Sequence, residues 1–281
     1  MLAPKKLIGF VTVCAVLLAL AGTGYAGLGQ PSPWQIGAQI PASPVMDDIV
    51  WFHDLLLWLI AAIALFVLIL LVYVCVKFNA AANPIPTRTT HNTVVEVLWT
   101  VVPVLILVAI AVPSFRLLFF QLEPPPADLI IKATGKQWFW TYTYPDQKIE
   151  FDSLMVQEKD LKQGQPRLLA VDNEIVVPVN KVVYVQTTAS DVIHAFAVPS
   201  FGVLIDAVPG RLNQTWFKAT REGIYYGQCR ELCGKDHAFM PIQVRVASEA
   251  DYNAWLTQAK QKFAIDGSRP ANLAAAEQAK Q

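Results

Sequence analysis

Two long apolar runs dominate the pattern of hydrophobic and polar positions. Residues 55–76 carry no charged side chain over 22 positions and residues 97–115 none over 19, and about 20 apolar residues suffice to cross a bilayer as a helix. They predict a membrane-crossing helical hairpin, with one helix over 49–78, a loop over 79–93 and a second helix over 94–120. Pro103 and Pro113 are expected to kink the second helix, which neighbouring helices can tolerate. A third, shorter run at 7–21 follows Lys5 and Lys6 and leads into small residues up to Ala26. A basic start, a short apolar core and a small-x-Ala end predict a secretory leader over 1–26, cleaved after Ala26. The alternative, a third membrane helix, is disfavoured by its length. Cys14 lacks the small residue expected just before a lipidated cysteine. Residues 27–48 then form a short segment ahead of the first helix.

After the second helix the period changes. Glu123-Pro-Pro-Pro126 is a stiff extended linker over 121–127. Beyond it, short runs rich in Val, Ile, Thr and aromatics, at 129–134, 137–144, 167–171, 175–179 and 182–188, are broken by Gly, Pro and Asp-Asn signals. That pattern predicts an antiparallel β-sandwich or barrel over 128–247. Ser248-Glu-Ala-Asp251 resembles a capping box, so a terminal helix is expected over 249–263, within a C-terminal segment 248–266, with a disordered tail at 267–281.

Composition supports the division into membrane hairpin and domain. A chain of 281 residues that is 54% hydrophobic, with mean hydropathy +0.39, is too apolar for an ordinary soluble protein. The interhelical loop holds Lys77 and Arg88 and no acid, so it should face the cytoplasm, leaving both ends outside. Trp51, Trp58 and Trp99 suit the membrane interfaces, with lipid around them. Two lone helices make a small membrane domain and imply a larger partner. Glu96 opens the second span, where an acid is either paired, functional or interfacial.

The chemistry lies in Cys229-Arg-Glu-Leu-Cys233-Gly-Lys-Asp-His237-Ala-Phe-Met240. On a helix Cys229 and Met240 would stand about 16 Å apart, too far to share one ion. The segment must therefore be a loop, with strand-like residues 223–228 entering and 241–246 leaving, and Gly234 permitting a sharp turn. A Cys229–Cys233 disulfide would leave His237 and Met240 without a role. Zinc accepts Cys and His but takes Met poorly, and one type 1 copper would leave a cysteine over. Two thiolates suggest two metal ions. Of the four histidines, His53 and His91 lie in or beside the apolar spans, which leaves His194, in a strand-like stretch, as the second imidazole.

These segments, together with THN (90–92 region), GKQWFW, DVIHAFAVPSFG and DAVPGRLNQTWF, resemble subunit II of the cytochrome c oxidases of the haem–copper family. The resemblance covers about 91–246. It implies a cupredoxin-like Greek-key barrel carrying a dinuclear CuA centre, with Cys229 and Cys233 bridging two coppers and His194 and His237 each completing one. Met240 would be a weak ligand and the backbone carbonyl of Glu231 another, while the Glu231 side chain would face a Mg²⁺ shared with subunit I. Electrons from cytochrome c would enter at Trp138 and pass through copper to haem in subunit I, where oxygen is reduced with proton pumping. The chain itself would carry no haem. Subunit I, subunit III and cytochrome c are the partners implied, with no nucleic acid, at a bacterial inner membrane with the copper domain on the periplasmic side. Glu96 would stand at the entrance to a proton path, and Arg211 near the subunit I interface, a buried structural Arg being the plainer reading of the latter.

By period two, Trp138 and Trp140 share a strand face, and paired aromatics of this kind are ordinarily core. The resemblance selects Trp138 as the surface residue. Docking of a basic cytochrome would need local acids, for which Asp146, Glu150, Asp152, Asp172 and Asp191 are candidates, because the charges beyond residue 120 nearly cancel. Thr143, Lys136 and Leu204 depart from the family pattern in this region, and Lys148 lies among the acids, so the donor is less defined than the metal loop. A non-redox structural or quinol oxidase subunit would not need this converging donor set. A nitrous-oxide reductase would need a His-rich second domain, and this chain has 4 His in all.

Overall fold

The computed structural model describes residues 27–265; the expected leader with Cys14 and the expected tail lie outside the described residues. Helix α1 spans Pro44–Lys77 and α2 spans Thr93–Leu122. Both begin on sequence-encoded caps. The Ser43 hydroxyl accepts from the Met46 N–H at 3.1 Å, with Pro44 in the first turn. Asn92 Oδ1 accepts from Val94 and Val95, and Glu96 Oε1 accepts from the Asn92 N–H at 3.2 Å. Helix α1 stops at Phe78, where Asn79 Nδ2 donates to the Val76 carbonyl at 2.8 Å. Helix α2 continues through Pro103 and Pro113 as one element.

Helix α1 starts earlier than hydropathy predicts, because its first turn is amphipathic and belongs to the barrel. Val45 and Met46 are buried, Val45 in a cluster with Val182 and Trp216, and Ile49 packs beside them. Phe120 of α2 meets Trp216 edge-on at 5.4 Å, and the Trp216 indole donates to the Gln121 carbonyl at 3.0 Å. Tyr184 donates to Pro125 O at 2.8 Å, so the proline linker is fastened as well as stiff.

The domain is a sandwich of two five-stranded sheets. One sheet orders β3 (Ile149–Ser153), β2 (Phe139–Tyr144), β1 (Leu129–Lys136), β5 (Val182–Ala189) and β8 (Asn213–Lys218). The other orders β4 (Ile175–Pro178), β10 (Pro241–Ala247), β9 (Gly223–Cys229), β6 (His194–Val198) and β7 (Val203–Ala207). Alternation places Leu129, Ile131 and Ala133 of β1 and Ile149 and Phe151 of β3 inside. Between the sheets Phe201 stacks on Phe217 at 4.5 Å, and Trp140 meets Phe196 edge-on at 5.7 Å.

Three strand expectations are corrected. The sheets are not wholly antiparallel, since β1 pairs β5 and β4 pairs β10 in parallel. Residues 167–171 form turns with one isolated bridge from Val171 to Met155: Leu168 sits at φ 65, which breaks an extended run. The strand expected from 137 begins at Phe139, because 137–138 form a turn. Trp138 therefore does not share a face with Trp140: the first is half-buried and the second fully buried. The terminal helix α3, Glu249–Phe263, is capped by Ser248 accepting from the Asp251 N–H at 3.1 Å, as the capping box predicts.

Candidate metal centre

Three strand ends build the site. Strand β6 opens on His194, β9 closes on Cys229, and β10 opens one residue after Met240. In the β9/β10 register Pro241 lies opposite Gln228, which brings Met240 back beside Cys229. Strand β6 is aligned on β9 by the Phe196–Cys229 pair. Sheet pairing thus removes the separation that a helix would impose.

The donor atoms face one another. Cys229 Sγ lies 3.9 Å from Cys233 Sγ and 3.9 Å from His194 Nδ1, while Cys233 Sγ lies 3.5 Å from both His237 Nδ1 and Met240 Sδ. The Glu231 carbonyl oxygen is 3.3 Å from Cys229 Sγ. Both cysteines are free and buried. Among the described residues, His194, Cys229 and Cys233 are the group of ligand atoms that clusters as a metal site would, all within 4.8 Å. Glu231 is exposed. Among the described residues, His53 and His91 hydrogen-bond through their rings to their neighbours Asp54 and Thr90 and do not approach the cluster.

His194 is held from several sides. Its Nε2 lies 2.9 Å from Asp191 Oδ1. A carboxylate only accepts, so Nε2 carries the proton and Nδ1 turns its lone pair toward the thiols. Trp140 stands edge-on at 6.0 Å, and Gly135 leaves the space the ring occupies, since a Cβ there would meet His194 Cδ2 and Cγ at 2.8 Å. Trp140 also donates from its indole to the Met240 carbonyl at 3.3 Å.

The charges explain what this pocket lacks by itself. Burial pushes the Cys229 thiol up, but hydrogen bonds with His194, Ala195, Glu231 and His237 outweigh it and bring its pKa down to about 7. Burial and then the neighbouring Cys229 charge push Cys233 up to about 12. Burial opposes protonation of His194, but Cys229 and Asp191 outweigh it and raise its pKa; burial likewise raises Asp191, and the bonds from His194, Val192 and Gln137 carry it below the ordinary carboxylate range. Without a cation the chain holds one thiolate comfortably and a second poorly. Two sulfurs, two imidazoles and a thioether, buried and convergent, fit soft metal ions that would neutralise both thiolates.

Trp138 is tied to the same loop. Its Nε1–H donates to the Cys233 carbonyl at 3.2 Å, and Gln137 Nε2 donates to that oxygen at 2.9 Å. Gly234 has φ 127, and a Cβ on it would meet the Trp138 ring at 2.9 Å. The charge around the tryptophan is mixed rather than acidic: Lys235 Nζ lies 5.6 Å from its ring centroid, and in the cleft it lines, Glu158 pairs with Arg167 at 2.9 Å. Of the five acids, Asp191 alone bonds to this turn, accepting from the Gln137 N–H at 2.7 Å. Asp152 accepts from Thr141 and Glu150 from Thr143, Asp172 accepts from the Leu154 and Asn173 N–H groups, and Asp146 is exposed in the β2–β3 turn. Arg211 is exposed, which removes the buried structural reading. Sequence reading gave Gly135 and Gln137, both inside the GKQWFW match, no role at the site and took Asp191 as a docking acid; its position three residues before His194 was the available signal.

A helical hairpin carrying a β-sandwich whose strand ends gather two thiols, two imidazoles and a thioether defines a membrane-anchored, cupredoxin-like soft-metal protein. Comparison with known proteins narrows that class. Residues 129–247 match the family described as cytochrome C oxidase subunit II, periplasmic domain, and residues 31–117 match the transmembrane domain of the same subunit. The chain is 55% identical over 239 residues to the probable cytochrome c oxidase subunit 2 of Rickettsia bellii, covering 85% of this chain and 88% of that protein. It is 49% identical over 251 residues to cytochrome c oxidase subunit 2 of Cereibacter sphaeroides, covering 83% of each. The crystal structure of the periplasmic domain of subunit II of cytochrome oxidase (CoxB) of Bradyrhizobium japonicum is 66% identical, covers 50% of this chain and 99% of its own, and superposes with a TM-score of 0.47. The chain belongs to the cytochrome c oxidase subunit II family. It is a membrane protein of an oxidoreductase complex, with a copper-type ligand cluster suited to accepting electrons.

Proposed function

We propose that this chain takes electrons from cytochrome c at Trp138 and delivers them, by way of a dinuclear copper centre, to haem in subunit I. The observation that carries this reading is the pairing of donors: His194 with Cys229, and His237 and Met240 with Cys233, on either side of two sulfurs 3.9 Å apart. A mixed-valence copper pair would supply one-electron transfer with little change in geometry, because bridging thiolates spread one charge over two metals. The protein's part is to hold the ligands still. Asp191 fixes the His194 tautomer, Trp140 anchors the Met240 backbone, and Gly135 leaves His194 its space. The hydrogen bond from Trp138 to Cys233 O gives a short route from the half-buried indole to the ligand loop.

In this reading oxygen is reduced in subunit I with proton pumping, the barrel faces the periplasm, and the exposed Glu231 side chain reaches a Mg²⁺ shared with subunit I. Subunit III completes the complex, and Arg211 meets subunit I. Glu96, besides closing the α2 cap, stands at the entrance to a proton path. Donor docking at Trp138 relies on Asp191 and on few other acids, because Lys235 covers the indole.

Copper quantitation with electron paramagnetic resonance on the purified chain tests the centre. Two coppers per chain with spin shared between them are expected; one copper, or spin localised on a single ion, overturns the dinuclear assignment. Stopped-flow reduction by cytochrome c, wild type against Trp138→Phe, tests the donor route separately.

A further inference from the structure

Away from the metal loop, a cleft of about 450 Å³ opens between the barrel-side ends of α1 and α2. Asp48, Trp51 and Phe52 line it from α1, and Val112, Arg116 and Leu117 from α2. Asp48 lies two helical turns before the uncharged run at 55–76, and Arg116 directly follows the run at 97–115. The cleft therefore sits where hydrocarbon gives way to headgroups.

Asp48 and Arg116 are both exposed, and neither joins an ion pair among the described residues. A lone Arg at this depth is explained by snorkelling, and a lone Asp near a helix start by the helix dipole. Neither accounts for opposite charges that line one cleft without closing on each other. An apolar helix seated there would bury both charges unpaired, at a heavy electrostatic cost. A ligand that carries both charges on one head and an apolar tail satisfies every wall.

We propose that this cleft binds one zwitterionic phospholipid, its phosphate on Arg116, its ammonium on Asp48, and an acyl chain along Trp51, Phe52, Val112 and Leu117. The volume falls in the range of roughly 300–1,000 Å³ typical of small-ligand sites and accommodates a headgroup with the start of a chain.

The test is native mass spectrometry of the full chain within its oxidase complex, offered equimolar phosphatidylethanolamine and phosphatidylglycerol. One phosphatidylethanolamine per chain should be retained, and Arg116→Gln and Asp48→Asn should each reduce retention more than tenfold, as loss of a charge-assisted contact implies. An unchanged copper resonance spectrum in both variants establishes that the fold is intact. Undiminished retention in the variants overturns the proposal. So does preference for phosphatidylglycerol that depends on Arg116 alone, or absence of retained lipid, in which case a photocrosslink from a benzoylphenylalanine at position 51 would identify another subunit as the occupant.

Discussion

Replacing Gly135 by Ala adds one methyl group at the place where the barrel leaves room for a metal ligand. The new Cβ would lie 2.8 Å from His194 Cδ2 and Cγ, where ordinary contact begins at 3.4 Å, so a shift of about 0.6 Å is required. Neither side yields easily. His194 is fully buried, bonded to Asp191 at 2.9 Å and packed on Trp140, while Gly135 pairs with Trp140 on β2 and Ala189 on β5 in the middle of its sheet. Overpacking of this kind costs roughly 1–3 kcal/mol of stability. A displacement of this size also exceeds the tolerance of about 0.2 Å on metal–ligand distances, so copper affinity should fall by roughly 10–100-fold, as when a ligand loses its support. Copper competition titration, thermal unfolding and electron paramagnetic resonance read the three effects. Gly37→Ala is the control, because nothing lies within 4 Å of a Cβ there. A Gly135→Ala chain with wild-type melting, affinity and spectrum would refute the crowding argument.

Asp191→Asn should weaken copper binding by roughly 10–100-fold by loosening the His194 tautomer, checked by the same titration. Because the folded-state pKa of Asp191 is depressed, its stabilising effect is present above the ordinary carboxylate pKa and lost as pH falls through the folded value; acid unfolding of the metal-free chain should be less steep in the Asn variant. Cys233→Ser should leave Cys229 and His194 able to bind a single ion, read as one copper per chain with localised spin. Trp138→Phe should keep both the copper content and the spectrum while slowing reduction by cytochrome c at least tenfold in stopped flow, since the hydrogen bond to Cys233 O is lost.

The hairpin, the linker, the terminal helix and the metal loop from Cys229 to Met240 were legible because each is written in local spacing: uncharged runs, prolines, a capping box, and donors too far apart for a helix; His194, 35 residues upstream, came from the short list of histidines. What stayed hidden depends on residues that meet across sheets. Gly135 makes room for a histidine on another sheet, and its only sign in the sequence is the missing side chain. Gln137 and Asp191 lie 54 positions apart and meet because β1 and β5 run parallel. Period-two reading paired Trp138 with Trp140 because it assumed an unbroken strand, and the turn at 137–138 separates them. The start of α1 was missed because hydropathy detects the membrane and overlooks the two buried residues, Val45 and Met46, that fasten the helix to the barrel.

The two thiols make a last prediction quantitative. With Cys229 ionising near 7 and Cys233 near 12, the metal-free pocket between those values carries one thiolate and one thiol. Copper that binds both as thiolates must then release one proton well above pH 7, and below it a second from Cys229 and a further one from His194, whose pKa is raised and whose ring must be neutral to bind. Binding linkage sets the slope of log affinity against pH equal to the protons released, so affinity should rise by about one decade per pH unit between pH 8 and 9 and by more than two between pH 5 and 6. Copper(I) competition with a chelator of known pH dependence measures this on the reduced, metal-free chain. A slope near zero above pH 8 would mean that Cys233 binds as a neutral thiol or not at all, and that one ion, held by Cys229 and His194, is all the loop takes.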